Sequence, residues 1–445
     1  MKSLLRKILP KSIIQLYHFC LAIFAAIIYH FPSNRMIVVG VTGTGGKSTT
    51  VKMIGKILEE NGSAVGWLSS LTLKTKDKEW ANPYHMTMLG RFKLQKYLSE
   101  MVKNKIRYVI VEATSEGIKQ FRHIGINFDI LVFTNLSKEH IEAHGSFEKY
   151  RNEKLKIFKK LSKQKKKKLN WLEKSQEKII IANIDDENAD YFLNNEADKK
   201  IGFSVNEIKF ATKNLEIIKT EFHKSDENGS MFKLGSVDFE LKLLGSFNIY
   251  NALAAITTTT ALGVDYSTSK KALLKIIDIP GRMEKIETNK EFNVVIDLAH
   301  TPDSLKQAYK TIRKSYSLVP GLKSMICVFG SAGGGRDKWK RPVMGKIAAN
   351  YCDKIFLTNE DPYNENPEDI IKDIEKSVVE KGKKRNKDYY IIEDRQLAIA
   401  NALKSANKGD LVMITGKGTE ATMVIGDKHI PWNEKEVVQT ELKKL

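Results

Sequence analysis

The chain has 445 residues, of which 42% are hydrophobic and 28% are charged, a composition that indicates two or three globular domains and excludes a disordered or fibrous protein. Its 73 Lys and Arg residues against 53 Asp and Glu give a formal charge of +20, which favours anionic partners such as nucleotides, nucleic acid or a membrane surface. The three cysteines, Cys20, Cys327 and Cys352, have no paired or metal-ligand spacing, so we expect reduced thiols in a cytoplasmic protein.

The first predicted element is the apolar segment 12–31, SIIQLYHFCLAIFAAIIYHF. Twenty residues are just long enough to cross a bilayer. A crossing would obey the positive-inside tendency by sending everything after residue 31 outside the cell, because four basic residues precede the segment: Lys2, Arg6, Lys7 and Lys11.

A phosphate-binding loop follows the apolar run 36–39. The sequence GVTGTGGKSTT at 40–50 supplies glycines for close backbone approach, a lysine for terminal phosphates and a hydroxyl for magnesium, although Val41 stands where the general motif has its first glycine. Helical spacing continues from the loop to Asn61-Gly62, so strand, loop and helix occur in the required order. The expected nucleotide-binding residues here are Gly43, Thr44, Gly45, Gly46, Lys47, Ser48 and Thr49.

This loop decides how segment 12–31 is interpreted. A membrane crossing would separate an ATP site just behind it from cytoplasmic ATP. We therefore predict one helix that packs on the protein or lies on the inner membrane face, and a cytoplasmic chain.

Apolar β-type runs alternate with helical stretches along the rest of the chain, which predicts an α/β fold with mostly parallel sheets. The first series has runs at 108–111, 129–133 and 178–181, then a polar β-rich stretch at 200–244 and a buried helix within 243–263. After a turn at Pro280-Gly281, a second series predicts a Rossmann-like doubly wound domain, with strands at 293–298, 324–329, 354–357, 389–392 and 411–414. The predicted divisions are a hydrophobic helical segment at 1–34, a nucleotide-binding domain at 35–281 and a C-terminal domain at 282–445.

Polar residues follow two of the predicted strands. Glu112 directly follows the run 108–111, and His140, His144 and Lys154 come after the run 129–133. We therefore expect all four at the carboxyl edge of the sheet, where parallel sheets form sites. Alone, the two histidines fit structural hydrogen bonding as well as metal binding. The lysine-rich run 159–168 lacks aromatic residues, so we interpret it as a solvated loop or helix end and expect no nucleic-acid partner.

Eight motifs occur in order along the chain: GTGGKST at 43–49, EATSEG at 112–117, NLSKEHIEAHGSFEKYRNEK at 135–154, GSFNIYNALAA at 245–255, PGRME at 280–284, DLAHTPDSL at 297–305, GGGRDKWKRP at 333–342 and GKGTE at 416–420. Together they resemble the Mur ligases, most of all the MurE type, the UDP-N-acetylmuramoyl-tripeptide synthetases. The resemblance implies a P-loop central domain with a parallel sheet, followed by the C-terminal domain. The family's separate N-terminal UDP-binding domain is replaced by about 35 residues that hold the hydrophobic helix.

The resemblance also implies an ATP-dependent amide ligase, in which a carboxylate takes the γ-phosphoryl group and the amine of an amino acid attacks the acyl phosphate. Lys47 and two magnesium ions would shield the carboxylate from the phosphate. Ser48 and Glu112 would hold one magnesium and His140 a second. Lys154 matches the family lysine that becomes carbamylated, which turns a repelling ammonium into an anionic oxygen ligand.

The remaining site residues come from the same resemblance. Those for the nucleotide are Asn248, Asn251, Arg282 and Asp297; those for the acceptor, a UDP-MurNAc-peptide or a related molecule, are Thr87, Ser115 and Arg122; those for the amino acid are Arg336, Asp361, Gly416 and Glu420. Diaminopimelate-adding members have D-N-P-R where this chain has Glu360-Asp361-Pro362-Tyr363. The missing arginine counts against diaminopimelate and leaves lysine or another amino acid.

Two other functions stay open on the sequence alone. One is a Mur-ligase-like enzyme on a lipid-linked or polymeric acceptor, MurT-like or polyglutamate-synthase-like. The other is a membrane-docked P-loop nucleotide-binding module, against which the set of Glu112, His140 and Lys154 argues, because nucleotide binding alone needs no second metal site. We expect a monomer.

Overall fold

The computed structural model describes residues 10–84, 86–208, 215–226, 228–317 and 322–445. Helix α1 (Lys11–Ile28) and a 3-10 turn (Pro32–Arg35) precede the first sheet. The elements that follow are β1 (Ile37–Thr42), α2 (Lys47–Glu60), β2 (Val65–Leu68), β3 (Thr72–Lys74), β4 (Glu79–Ala81), α3 (Arg91–Lys103), β5 (Tyr108–Glu112), α4 (Ser115–Lys119), β6 (Ile130–Phe133), α5 (Ile141–His144), α6 (Phe147–Leu161), β7 (Ile179–Asn183), α7 (Ala189–Leu193), β8 (Lys199–Ser204), β9 (Glu216–Lys219), β10 (Phe222–Asp226), β11 (Gly229–Leu234), β12 (Val237–Leu241), α8 (Phe247–Thr260) and α9 (Tyr266–Leu274).

The first sheet has nine strands in the order β4-β3-β2-β5-β1-β6-β7-β8-β9. All its pairs from β2 to β9 are parallel, and β3 and β4 form an antiparallel edge. Apolar side chains cover both faces, with α2, α8 and α9 on one and α3, α6 and α7 on the other. Because β1 lies between β5 and β6, the loop after β1 opens at the carboxyl edge of the sheet, next to the ends of both neighbours.

The second part of the chain consists of β13 (Glu284–Ile286), β14 (Asn293–Asp297), α10 (Pro302–Ser317), β15 (Met325–Phe329), α11 (Lys340–Tyr351), β16 (Lys354–Leu357), α12 (Pro367–Glu380), β17 (Tyr389–Ile391), α13 (Arg395–Lys404), β18 (Leu411–Thr415), β19 (Thr422–Ile425), β20 (Lys428–Pro431) and α14 (Glu434–Lys444). Six strands form a sheet in the order β13-β14-β18-β15-β16-β17, parallel except for β13. Helices cover both faces. The predicted α/β class, with a parallel sheet followed by a doubly wound one, is therefore confirmed.

Helix α1 ends three residues before the predicted end of segment 12–31. Phe31 is left-handed (φ 47°) and Pro32 begins the next turn, so the helix stops at Ile28. The small residues of α1 face the protein. Ala26 packs so closely on Gly125 that a Cβ added to Gly125 would lie 2.4 Å from Ala26 Cβ. Within the described residues, the structure contains no helix that is both long and apolar enough for a membrane span.

Two expectations about individual side chains are wrong. Cys327 in β15 and Cys352 after α11 form a disulfide, because neighbouring β15 and α11 bring their Cα atoms to 6.0 Å, a separation that a chain distance of 25 residues does not reveal. Lys167, in the run interpreted as solvated, is buried: its Nζ pairs with the buried Asp129 and donates to the carbonyls of Met36 (2.8 Å) and Asn127 (2.6 Å).

Candidate active site

The loop after β1 approaches its surroundings too closely for a side chain at Gly46. This glycine has φ 77° and starts α2, and a Cβ there would lie 2.1 Å from Asn251 Oδ1. Lys47 Nζ donates to Thr44 O at 2.9 Å. The first N–H groups of α2 have no partner inside the helix, so together with the Lys47 ammonium they form a site for an anionic group such as phosphate.

Ser48 and Glu112 lie side by side at this edge. Ser48 Oγ donates to Glu112 Oε2 at 2.9 Å, and Ser70 N donates to the same oxygen at 2.8 Å. A hydroxyl and a carboxylate are hard oxygen donors, which suit magnesium. No three His, Cys, Asp or Glu side chains gather as a metal site in the part of the chain that the structure describes, so a magnesium ion here would also need phosphate oxygens and water. Ser70, at the end of β2, is missed from the sequence because only the β2–β5 pairing brings it to Glu112.

Lys154 projects from α6 to the phosphate loop. Its Nζ donates to Gly43 O at 2.8 Å, and the side chain is 2% exposed, unlike a surface lysine of a lysine-rich helix. Burial and the charge of Lys47 lower its pKa well below the ordinary value. A lowered pKa favours the neutral amine, which is the form that reacts with CO2.

The two histidines lie on the short α5 segment beside Tyr150. The rings of His140 and His144 are 6.5 Å apart, and each lies within 6 Å of the Tyr150 ring. His140 Nε2 lies 3.6 Å from Glu139 Oε1, and the structure joins it by no hydrogen bond to Ser48 or Glu112 within the described residues. Burial lowers the pKa of both imidazoles, that of His144 to about 4, so both are neutral and able to act as ligands.

The predicted adenine-side asparagines are buried at the start of α8. Asn251 Nδ2 donates to Asn248 Oδ1 at 2.9 Å, and Asn248 Nδ2 donates to Leu244 O at 2.8 Å. Asn251 also lies against Gly46, as described above. The pair therefore connects α8 to the phosphate loop.

Two further residues expected to contact the nucleotide lie at the start of the second part of the chain: Asp297, expected at the nucleoside, and Arg282, expected near the γ-phosphate. The carboxylate of Asp297 accepts hydrogen bonds from Met283 N and Ala299 N, both at 2.7 Å. Burial raises its pKa, and the charge of Arg282 opposes that rise. Arg282 Nη1 donates to Gly281 O at 3.2 Å. Asp297 thus fixes the turn that carries Arg282.

The two parts of the chain meet in a cleft. Asp337 accepts hydrogen bonds from Ile141 N at 3.1 Å and Glu142 N at 2.8 Å, and Lys338 N donates to Glu142 Oε1 at 2.8 Å. Beside these contacts lies a cavity of about 90 Å³, whose polar lining includes Glu139, His140, His300, Arg336, Asp337, Lys340, Glu360, Asp361, Tyr363 and Glu420, with Gly416. The structure therefore brings together all four residues expected to contact the amino acid.

The acidic residues of this cavity differ in whether their carboxylate oxygens already have hydrogen-bond partners. Both oxygens of Asp361 accept from Lys417 Nζ at 2.9 Å. Glu360 is buried, and none of the described residues hydrogen-bonds to its Oε2; burial raises its pKa against the attraction of Lys340. Gly416 (φ 103°) is required here, since a Cβ would lie 2.5 Å from that oxygen. Sequence reasoning missed Glu360 as a site residue, although its place beside Asp361 was a usable signal.

The three residues expected to contact the acceptor lie around one turn. Arg122 donates to Met88 O and, at 2.7 Å, to Gln120 Oε1, while Thr87 precedes Met88 in the chain. Ser115 is buried in the first turn of α4, which packs on Met88 through Gly117. The Arg122 pKa is lowered by burial.

A phosphate loop, a buried lysine beside it and a cleft closed by a second doubly wound domain define a two-domain P-loop enzyme. Residues 41–259 match the Mur ligase middle domain, and residues 281–418 match the Mur ligase, glutamate ligase domain. The chain belongs to the Mur ligase family, whose members are ATP-dependent acid–amino-acid ligases.

Named relatives are similar over most of their length. A UDP-N-acetylmuramoyl-L-alanyl-D-glutamate–2,6-diaminopimelate ligase of Caldanaerobacter subterraneus subsp. tengcongensis is 35% identical over 92% of this chain and 79% of its own. A UDP-N-acetylmuramyl-tripeptide synthetase of Roseiflexus sp. is 35% identical over 93% of this chain and 80% of its own length. A solved diaminopimelate ligase is 28% identical over 92% of this chain and 78% of its own, with a TM-score of 0.58. A Mycobacterium tuberculosis folylpolyglutamate synthase shares the fold, with a TM-score of 0.65. It is 13% identical over 89% of this chain and 92% of its own length.

Proposed function

We propose that this Mur ligase joins an amino acid to the peptide carboxylate of a UDP-MurNAc-peptide during peptidoglycan precursor synthesis, with ATP and magnesium. The names of the relatives support this substrate class. The observation that carries the proposal is Lys154, whose buried amine lies on the phosphate loop with a lowered pKa. A module that only binds nucleotide has no use for a buried amine at that place.

The reaction has two bond-forming steps. An acceptor carboxylate oxygen attacks the γ-phosphorus and ADP leaves; the amine of the amino acid then attacks the acyl carbon and phosphate leaves. Magnesium, when bound, shields the negative charges of carboxylate and phosphate. Lys47 supplies a fixed positive charge at the phosphates. Ser48 and Glu112 would offer oxygens to one magnesium, and His140 would offer a nitrogen to a second. Neutral Lys154 would add to CO2 through a new N–C bond and release one proton to solvent, and the resulting carbamate would be a further anionic oxygen ligand.

We infer that the amino acid has one carboxylate and a side-chain amine, as lysine has. Arg336 suits the carboxylate, and Glu360 with Glu420 suits the amine. Glu360 is the buried member of this pair, and a cation would stabilise its unpartnered oxygen. Tyr363 stands where diaminopimelate-adding members have an arginine, so a second carboxylate would find no guanidinium there.

A phosphate-release screen tests both parts of the proposal. The purified chain is given ATP, magnesium and either a UDP-MurNAc-peptide or a lipid-linked peptide acceptor, with lysine, ornithine, diaminopimelate or alanine. We expect amino-acid-dependent release with lysine or ornithine, and none from Lys47→Ala at unchanged circular dichroism. Faster release with diaminopimelate would overturn the amino-acid inference, and no release with any acceptor would overturn the ligase proposal.

We also propose that the enzyme works as a monomer at the inner face of the membrane, in the cytoplasm. One chain supplies both walls of the cleft, which supports a monomer. The apolar outward face of α1 supports a position at a membrane. Sedimentation analysis in the absence of lipid should give a single species of about the chain mass of 50.5 kDa.

A further inference from the structure

The outward face of α1 is apolar along the whole helix. Six of its side chains are each 46–61% exposed, in two groups of three that lie two helical turns apart: Ile13, Leu16 and Tyr17, then Phe24, Ile27 and Ile28. At 100° per residue they fall within an arc of about 120°, the width of a stripe that a helix normally buries. The opposite face is occupied, because Ala22, Ala25 and Ala26 are buried against the protein. Among the described residues, the stripe is left uncovered.

The apolar surface continues onto a second helix. Phe92 of α3 is 39% exposed, and its ring lies 6.3 Å from that of Phe24. Lys93 and Lys96 are exposed on the same helix. The surface, called the docking face from here on, thus joins aromatic and aliphatic side chains to adjacent ammonium groups.

Basic residues predominate around the docking face, where Glu100 is a partly exposed acidic neighbour 4.0 Å from Lys96. Residues 1–58 contain no Asp or Glu, while residues 1–36 contain Lys2, Arg6, Lys7, Lys11 and Arg35. A second copy of the chain would bring the same positive charge against itself, which opposes a symmetric dimer through this face. An anionic lipid surface fits both the apolar stripe and the basic residues around it. Such a surface accepts apolar side chains at the acyl boundary and attracts Lys and Arg.

We propose that the docking face lies in the interface of an anionic lipid bilayer. The docking face specifies which surface meets the membrane in the proposed function. The role of the residues next to it rests on that function. Phe19 of α1 packs on Phe121, with ring centroids 5.7 Å apart, and Phe121 precedes Arg122. The turn expected to contact the acceptor therefore packs on the protein side of α1, behind the docking face.

Vesicle sedimentation tests the docking face without turnover. The full chain is mixed with phosphatidylglycerol-containing vesicles or with phosphatidylcholine vesicles, at low and at high salt. We expect binding to the anionic vesicles that weakens with salt. Leu16→Glu with Phe24→Glu should reduce the vesicle affinity at least about tenfold, because both lost side chains insert among the lipids. Gln15→Glu adds one of these two negative charges, at an exposed position outside the stripe, and should stay within about twofold.

The free thiol provides a second readout. Cys20 is exposed within the stripe and is the one free cysteine, so a polarity-sensitive dye on it should shift to the blue with anionic vesicles. The same dye on Lys381→Cys in a Cys20→Ser background, on the exposed end of α12, should not shift.

Three outcomes would overturn the proposal: equal binding to both kinds of vesicle, equal loss in the Leu16/Phe24 and Gln15 variants, or a concentration-dependent dimer that Leu16→Glu dissociates. Ligase turnover on a soluble acceptor, measured in parallel, should be unchanged in the Leu16/Phe24 variant. A chain that binds vesicles without ligase turnover would reject the proposed function alone, and a chain with turnover that ignores vesicles would reject the docking face alone.

Discussion

At the scale of single residues, Lys154 offers the sharpest test of the chemistry. Lys154→Ala should lose at least about 100-fold in turnover, because the anionic oxygen expected at the loop disappears, a cost of about 3 kcal/mol in transition-state stabilisation. Short carboxylic acids should restore part of the activity by supplying such an oxygen. Phosphate release with and without added acetate measures both effects.

The same helix provides the control for Lys154. Lys156 is two residues further along α6, with a half-exposed side chain that pairs with Glu153. Lys156→Ala should keep full turnover without acetate. If Lys154→Ala behaved like Lys156→Ala, the amine would have only a structural role at Gly43 O.

At the scale of elements, the lysine-rich segment after α6 is held to the protein by the buried contacts of Lys167 and is not a fully solvated loop. Lys167→Met leaves Asp129 with Lys178 as its one cation and removes two hydrogen bonds to carbonyls, so the free energy of unfolding should fall by about 2–4 kcal/mol. Lys168→Met, at an exposed neighbouring position, should change it by less than about 0.5 kcal/mol. Urea unfolding of both variants measures the difference, and equal midpoints would refute the structural role of Lys167.

The sequence predicts the parts of this molecule that depend on local pattern. The strands β1, β5 and β6 follow from apolar runs, and the loop between β1 and α2 follows from glycine spacing. The domain boundary near Pro280 and the roles that the family resemblance implies for the cleft residues stay predictions. Contacts between distant segments lie beyond such patterns. Ser70 reaches Glu112 only through sheet pairing, and Lys167 is distinguished from its lysine neighbours only by the position of Asp129.

At the scale of the whole molecule, Asp337 is one of the residues that join the two parts of the chain. Asp337→Asn keeps the shape of the side chain but has one acceptor oxygen where Ile141 N and Glu142 N use two, so one of these hydrogen bonds is lost. The cleft should then open and the KM for the amino acid should rise about tenfold, with the fold intact. Asp303→Asn removes a charge from an exposed position on α10 and should leave KM unchanged. Small-angle scattering together with kinetics checks this, and equal radii and KM values in the two variants would contradict it.

The Asp337 clamp also has a thermodynamic consequence. It joins the amide groups that follow His140, on the nucleotide side, to a loop whose preceding residue, Arg336, lines the amino-acid cavity. Two ligands that each prefer the clamped arrangement are linked through it, and linkage is reciprocal. The factor by which bound nucleotide tightens amino-acid binding then equals the factor by which bound amino acid tightens nucleotide binding, so the clamp imposes no order of addition at equilibrium.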